Sequence, residues 1–330
     1  MTTKNYLPKD APFAQLLRSG YANILLEHTQ GSISFRITKK GEPLIHREHS
    51  QRNQDLSHDR VKNRLLDPSD PFLIAVGISD SNGNLKPSKN DKYLQVEEFL
   101  RLLAPTLTSA ISAGHIHQPT DSNPLTIVDL GCGHAYLTFA AHQYLRSQNI
   151  PVKVVGIDIR TSARKRNSEI AQQLGISETI EFRAEEIAET SLKGADVAIA
   201  LHACDTATDD AIAWAISSDA RLALIAPCCH HDIQEQMNEI PEPWSLITRN
   251  GIMKERLGDL LTDAIRMQIM KLRGYRVEAI EFIGGEHTPR NLMIRAVKTG
   301  ASCDEIEERR YDEMLNLWKV KPALAALVNR

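Results

Sequence analysis

The sequence predicts an α/β fold built on a seven-stranded, Rossmann-like sheet, and three observations carry that expectation. From Leu125 onward short apolar runs alternate with helical segments, the rhythm of a parallel sheet covered by helices. The first run ends in Gly131-Cys132-Gly133, a turn where glycine lets the backbone come close to a ligand at the sheet's carboxyl edge. Residues 283–290 alone separate the last two runs, too few for the crossover of about a dozen residues that a parallel pair needs. Those two strands are therefore expected to pair antiparallel.

The seven runs are TIVDL, KVVGID, TIEFR, DVAIAL, RLALIA, RVEAIEF and NLMIRAV. Leu257, Leu260, Leu261, Ala264, Ile265 and Leu272 mark a long amphipathic helix between the fifth and sixth. Upstream, YANILLEH, SISFRIT and PLIHREH read as short strands, the latter two joined by the turn-like Lys39-Lys40-Gly41. An irregular Pro-, Ser- and Asn-rich connection follows. A helix is then expected from about Asp91 to Ala104, opened by the capping-box spacing of Ser88 to Asp91 and carried by Val96, Phe99, Leu100 and Leu103. The expected organisation is a β-rich accessory segment over 1–66, a connector and helix over 67–120, the main domain over 121–299 and a helical tail over 300–330, with the principal boundary near Thr120 to Pro124.

Composition narrows the class. The chain has 330 residues, 42% apolar and 25% charged, as an ordinary globular protein has. Its opening residues, MTTKNYLPKD, lack the apolar stretch of a secretion signal, and no window approaches the roughly 18 apolar residues of a membrane span, so a cytoplasmic protein with no membrane partner is expected. Five cysteines in such a chain do not read as a disulfide framework. With 39 Lys+Arg against 42 Asp+Glu the net charge is -3, and any attraction for nucleic acid must be local. One such place exists: between Ser34 and Arg64 eight basic residues (Arg36, Lys39, Lys40, Arg47, Arg52, Arg60, Lys62 and Arg64) stand against four acidic ones (Glu42, Glu48, Asp55 and Asp59), an excess of +4. That stripe can hold a phosphate backbone or be a solvated strand face.

The glycine turn is not that of a dinucleotide site, because Tyr136 stands where a third glycine would be needed and the acidic Asp129 precedes the glycines. Asp158 ends the second strand, where a carboxylate can accept hydrogen bonds from both hydroxyls of a ribose. Asp129, the Gly-x-Gly turn and Asp158 together read as the adenosyl site of a class I S-adenosylmethionine methyltransferase.

The strings VDLGCGHAYLTF, LHACDTATD, APCCHHDI, ERLGDLLTDAIR and EHTPRNLMIRAVK resemble a family of class I methyltransferase-domain proteins of bacteria and eukaryotes. SHDRVKNRLL followed by DKYLQVEEFL extends the likeness toward bacterial members, so that it covers about Asp55 to Lys298. The resemblance implies a seven-stranded methyltransferase sheet and S-adenosylmethionine as cofactor. It implies Asp129, Gly131, Cys132 and Gly133 in the cofactor loop, Asp158 on the ribose, and Glu186 or its neighbour Glu185 near the adenine, with His202 beside the cofactor. It leaves the methyl acceptor open, RNA or a ribosomal or other translation-related protein being the implied classes.

The acceptor is expected at the ends of the fourth and fifth strands, where His202, Cys204, Asp205, Cys228 and His230 concentrate. The Asn/Asp-Pro-Pro-aromatic string of adenine-N6 and glutamine methylation is missing from those ends. The thiols and histidines there admit three readings: a zinc site, a pyrimidine-attacking thiolate, or small residues shaping a pocket with one histidine as base. The adjacent cysteines lack Cys-x-x-Cys spacing, and the Pro-Cys pair follows the fifth strand where the RNA enzymes of that mechanism carry it after the fourth. The pocket reading, with no metal, is the expectation. Lys92 and Gln95 before the glycine loop, and Glu286, His287, Arg290 and Asn291 between the last strands, are further candidates to line the site. His46, His49 and His58 read as surface or core histidines. A methyltransferase acting on a macromolecule is the expected function, with a non-catalytic binding protein of the same fold as the alternative.

Overall fold

The computed structural model describes residues 12–21, 23–28, 31–38, 42–49, 64–201, 203–282, 291–302 and 304–328, and the chain divides into two units, residues 1–63 and 64–330. In the first unit a short helix α1 (Phe13–Leu17) precedes the antiparallel strands β1 (Asn23–His28), β2 (Gly31–Ile37) and β3 (Pro43–His49), paired in that order. Ile24 lies opposite Phe35 and Phe35 opposite Ile45, which sets an apolar row on one face. Because side chains alternate along a strand, Arg36 of β2 and Arg47, which faces Ile33, fall on opposite faces. The basic residues Lys39, Lys40, Arg52, Arg60 and Lys62 lie outside the described residues.

The second unit begins with α2 (Pro71–Ala75) and α3 (Asn90–Ser112) and then alternates strand and helix: β4 (Leu125–Leu130), α4 (Tyr136–Ser147), β5 (Val152–Ile157), α5 (Thr161–Gln173), β6 (Ile180–Arg183), β7 (Val197–Ala200), α6 (Thr206–Ser217) and β8 (Leu222–Ile225). Helices α7 (His231–Gln236), α8 (Ser245–Thr248) and α9 (Gly251–Leu272) lead to β9 (Tyr275–Glu281) and β10 (Leu292–Lys298), and α10 (Glu305–Trp318) and α11 (Ala323–Val328) end the unit. All seven expected strands form, in the spatial order β6-β5-β4-β7-β8-β10-β9. β10 inserts between β8 and β9 and is antiparallel to both, as the short connection requires.

Strands β4, β7 and β8 are apolar along almost their whole length because helices cover both faces of the sheet. On one side Phe99 and Leu103 of α3 and Phe139 of α4 pack in a buried cluster with Ile127 and Leu224; on the other Ile212, Ile265, Met270 and Trp318 pack with Ala198 and Ile225. The C-terminal helices belong to this second layer, since Leu324 is buried there and the Trp318 ring stands 5.5 Å from that of Trp244. Among the described residues no helix is long and apolar enough to cross a membrane.

Three features differ from expectation. α3 continues past Ala104 to Ser112: Pro105 removes one backbone donor, but Leu107 and Ala110 prolong the buried stripe of Val96, Phe99, Leu100 and Leu103. Its start follows a 3-10 turn, Pro87–Lys89, and among the described residues Lys89 makes no side-chain cap, so the capping box does not form. The division of the chain falls between residues 63 and 64, because that stripe makes α3 part of the core of the second unit where a connector was expected.

One buried ion pair ties this layer together. Arg266 of α9 is 1% exposed and donates from Nε and Nη2 to the two carboxylate oxygens of Asp209 on α6, at 2.9 and 2.8 Å. Its Nη2 also donates to the Asp205 carbonyl at 3.0 Å, and Nη1 reaches Asp263 at 3.4 Å. Burial opposes the charge on Arg266, but Asp209 and Asp263 outweigh it and hold the guanidinium protonated. Asp209→Ala leaves that cation without its bidentate partner, and is expected to lower the unfolding free energy in urea by about 3–5 kcal/mol. A loss below about 1 kcal/mol, the size of an exposed pair, contradicts this assignment.

Candidate active site

The chain runs outward from the central β4 to β5 and β6 on one side and returns to β7 on the other, so the crevice at the carboxyl ends of β4 and β7 is the switch point where such sheets bind ligands. Gly131, at φ +80°, turns the chain out of β4, and a Cβ there would stand 3.4 Å from the Ala203 nitrogen of the loop after β7. Only a glycine combines that φ with so close a neighbour. The turn is held from beneath: Asn167 of α5 donates to the Gly133 carbonyl at 2.9 Å, and the Gly133 N–H donates to Asp158 at 2.9 Å. Asp129 lies buried at the end of β4 and accepts from the Thr138 hydroxyl at 2.5 Å. Burial pushes its carboxyl up to about 7, against the pull of that hydrogen bond. The Cys132 thiol is buried and pushed up by desolvation, and its N–H is spent on the Ile157 carbonyl.

Asp158 follows β5 and is already occupied. Its Oδ1 accepts from the Arg160 backbone at 2.9 Å and from Arg160 Nε at 2.8 Å, while Oδ2 accepts from Arg160 Nη2 at 3.0 Å. Burial works against its charge, but the hydrogen bonds from Arg160 outweigh it and hold the carboxyl below the usual range. A cavity of about 500 Å3 opens beside this pair, walled by Gly131, Asp158, Arg160, Glu185, Glu186 and Cys204 among others. Glu185 Oε2 is buried and has no hydrogen-bond partner among the described residues, whereas Glu186 is exposed. This donor set fits an adenosyl group: a carboxylate for two ribose hydroxyls, an orphaned carboxylate oxygen for an adenine amine, and a turn whose glycines admit close approach.

The loops after β7 and β8 converge on the same edge. Cys204 Sγ lies 3.0 Å from Cys228 Sγ, and Cys228 Sγ 3.8 Å from Cys229 Sγ. The Asp205 carboxylate accepts the His231 backbone N–H at 2.9 Å, so this acceptor-side candidate ties the two loops together. His230 is 3% exposed, with Nε2 2.9 Å from Asp263 and Nδ1 3.3 Å from Asp259, both on α9. Nδ1 makes no hydrogen bond among the described residues. A second cavity of about 500 Å3 opens there, lined by Pro227, His230, Arg256, Asp259, Asp263 and Asn291 among others.

The other candidates divide. Lys92 and Gln95 reach Tyr136 at the start of α4: the Lys92 ammonium stands 4.7 Å from its ring and Gln95 accepts from its hydroxyl at 3.2 Å. His202, Glu286, His287 and Arg290 lie outside the described residues. Sequence reasoning missed Arg160, although an arginine two residues after Asp158 is close enough to pair with it. It also missed Asp259, Asp263 and Arg266, whose spacing of four and three along α9 places them on one face.

Residues 91–236 match a protein family described as a methyltransferase domain. No curated protein matches the chain. Among solved structures, the magnesium protoporphyrin IX methyltransferase of Synechocystis PCC 6803 is similar at 14% identity and a TM-score of 0.40, over 70% of this chain and 93% of that one. A protein described as a candidate RNA methyltransferase of Pyrococcus horikoshii is similar at 13% and 0.37, over 64% and 85%. A ribosomal protein L11 methylase of Lactobacillus delbrueckii subsp. bulgaricus is similar at 14% and 0.36, over 65% and 84%. Over residues 91–236 the chain is thus similar to a methyltransferase domain.

Asp129 makes the site pH-sensitive. A carboxyl whose folded pKa lies above its ordinary 3.8 takes up protons more readily folded than unfolded, so its contribution to stability is greatest below pH 4 and falls as the pH rises to about 7. Urea denaturation of the chain without cofactor is expected to show that decline, and Asp129→Asn to lose it. An identical pH slope in the two proteins contradicts the burial of an ionisable group here.

Proposed function

We propose that this methyltransferase acts on a macromolecule, RNA or a ribosomal or other translation-related protein, bound beside the cavity that contains His230. The observation that carries the reading is the pair of cavities at the loops after β7 and β8, one bordered by Asp158 and Cys204 and the other by Pro227 and His230. The excess of basic residues between Ser34 and Arg64 favours RNA, although Arg36 and Arg47 share no face.

S-adenosylmethionine, when bound, supplies an electrophilic methyl group on a sulfonium. Asp158 would hold the ribose after Arg160 gives up its side-chain hydrogen bonds, and Glu185 would meet the adenine amine. On the acceptor side, a proton on His230 Nε2 donated to Asp263 leaves Nδ1 as an acceptor. Nδ1 stands 3.3 Å from Asp259 Oδ1, which already accepts from Gln234 Nε2 at 2.6 Å, so Nδ1 is the atom that would meet a donor in this cavity. An acceptor amine or hydroxyl bound there would supply that donor, and His230 would take its proton as the methyl arrives. Asp263 is itself fixed by Arg266, so the orientation of the base comes from the buried ion pair. The non-catalytic alternative has no observation in its favour: the glycine turn and both acidic positions are intact.

His230→Ala is expected to lower kcat on the order of 100-fold or more, the range of a lost general base, with little change in cofactor affinity. Asp158→Asn is expected to do the reverse, weakening S-adenosylmethionine binding by about 10-fold or more through loss of a charged acceptor, as read by calorimetry. If each substitution moves the other's parameter, the two cavities are exchanged. Mass spectrometry of RNA and ribosomal proteins from cells with and without this chain tests the acceptor: a methyl mark present only with the chain is expected. Methylation of small molecules alone contradicts the macromolecular reading.

A further inference from the structure

Three thiols meet where the loops after β7 and β8 converge, and one of them, Cys204, borders the cavity beside Asp158. Cys204 comes from the loop after β7, and Cys228 and Cys229 from the loop after β8. Their three sulfur atoms all lie within 4.8 Å of one another. Adjacent residues of a strand point to opposite faces, but residues 226–230 have left β8 and are not extended as a strand, which lets Cys228 and Cys229 bring their sulfurs to 3.8 Å. Cys204 arrives from the other loop and closes the triangle at 3.0 Å. We infer that Cys204, Cys228 and Cys229 are a three-thiolate binding site for zinc(II), held where the loops after β7 and β8 converge.

The dimensions support this. Tetrahedral zinc with Zn–S bonds of about 2.3 Å sets its sulfurs about 3.8 Å apart. The Cys228–Cys229 edge already has that length, and the Cys204–Cys228 edge needs to open by less than about 1 Å. Three sulfur ligands are the set that selects a soft or borderline cation over magnesium or calcium. Two of the thiols are half-buried and Cys204 is exposed, so an ion has a way in. Zinc is held by thiolates, so binding replaces protons: one zinc(II) joins three thiols, three Zn–S bonds form as three S–H bonds break, and three protons pass to solvent. The product carries one negative charge and leaves a fourth zinc position for water.

The chemical effect is a staple. The loops after β7 and β8 are already tied by the Asp205 carboxylate on the His231 N–H, and a zinc would fix the side-chain layer above that strut. It would also occupy the thiols, so that none remains a nucleophile for a substrate.

Reduced, chelator-treated protein titrated with cadmium(II), followed by ultraviolet thiolate-to-cadmium absorbance and by competition with zinc(II), tests the site. One equivalent per chain is expected, with an absorbance that falls by about one third in each of Cys204→Ser, Cys228→Ser and Cys229→Ser. Zinc affinity should fall on the order of 10-fold or more in each. Cys132→Ser, which changes a thiol outside the triangle, should alter neither, and circular dichroism confirms that each variant is folded. Absence of the band, a band that survives all three substitutions, or a Cys204–Cys228 disulfide in peptide maps of protein prepared without oxygen overturns the inference. The readout is independent of methyl transfer.

Discussion

A buried guanidinium organises the edge of the sheet where the loops after β7 and β8 meet. Arg266 is brought into the interior by α9, and its hydrogen bonds go to Asp209 at the start of α6, to the Asp205 carbonyl and to Asp263. Asp205 has a positive φ of 54°, an unfavourable conformation for a residue with a side chain, and the Arg266 bond to its carbonyl is one of the contacts that holds it there. The same residue sends its carboxylate to the backbone of α7. The loops after β7 and β8 are thus joined from below by one cation and from the side by one anion. Cys204, Cys228 and His230 owe their places to that bracing.

The edge beside Asp158 follows a different logic. Its charges are held in pairs before any ligand arrives: Asp158 with Arg160 and the Gly133 N–H, and Asp129 with Thr138. Asp158 stays ionised because Arg160 compensates its burial, while Asp129, with a hydroxyl in place of a cation, is pushed toward neutrality. Arg160 is exposed enough to move away, which would leave a charged carboxylate open to the donors of a ligand in the cavity.

Much of this was legible from local pattern. The seven strands are apolar runs with clear boundaries, the antiparallel last pair follows from an eight-residue connection, and the glycine turn announces itself by its position after β4. The continuation of α3 was hidden because Pro105 reads as a stop, and only the buried partners of Leu107 and Ala110 outweigh it. Long-range pairings were invisible for a different reason. His230 meets Asp263 33 residues away and Cys204 meets Cys228 24 residues away, and no periodicity encodes which strand ends become neighbours. Glu185 and Glu186 are also told apart only by the fold: both line the cavity, and of the two Glu185 has a buried oxygen without a hydrogen-bond partner among the described residues.

The central claim is that the cavity beside Asp158 is where the methyl donor sits. A crystal structure of the chain with S-adenosylhomocysteine tests it most directly. The account predicts the adenosine in that cavity, both ribose hydroxyls at hydrogen-bond distance from Asp158, and the Arg160 side chain displaced from the carboxylate. A ligand bound elsewhere, or a ribose held away from an Asp158 still paired with Arg160, would contradict it.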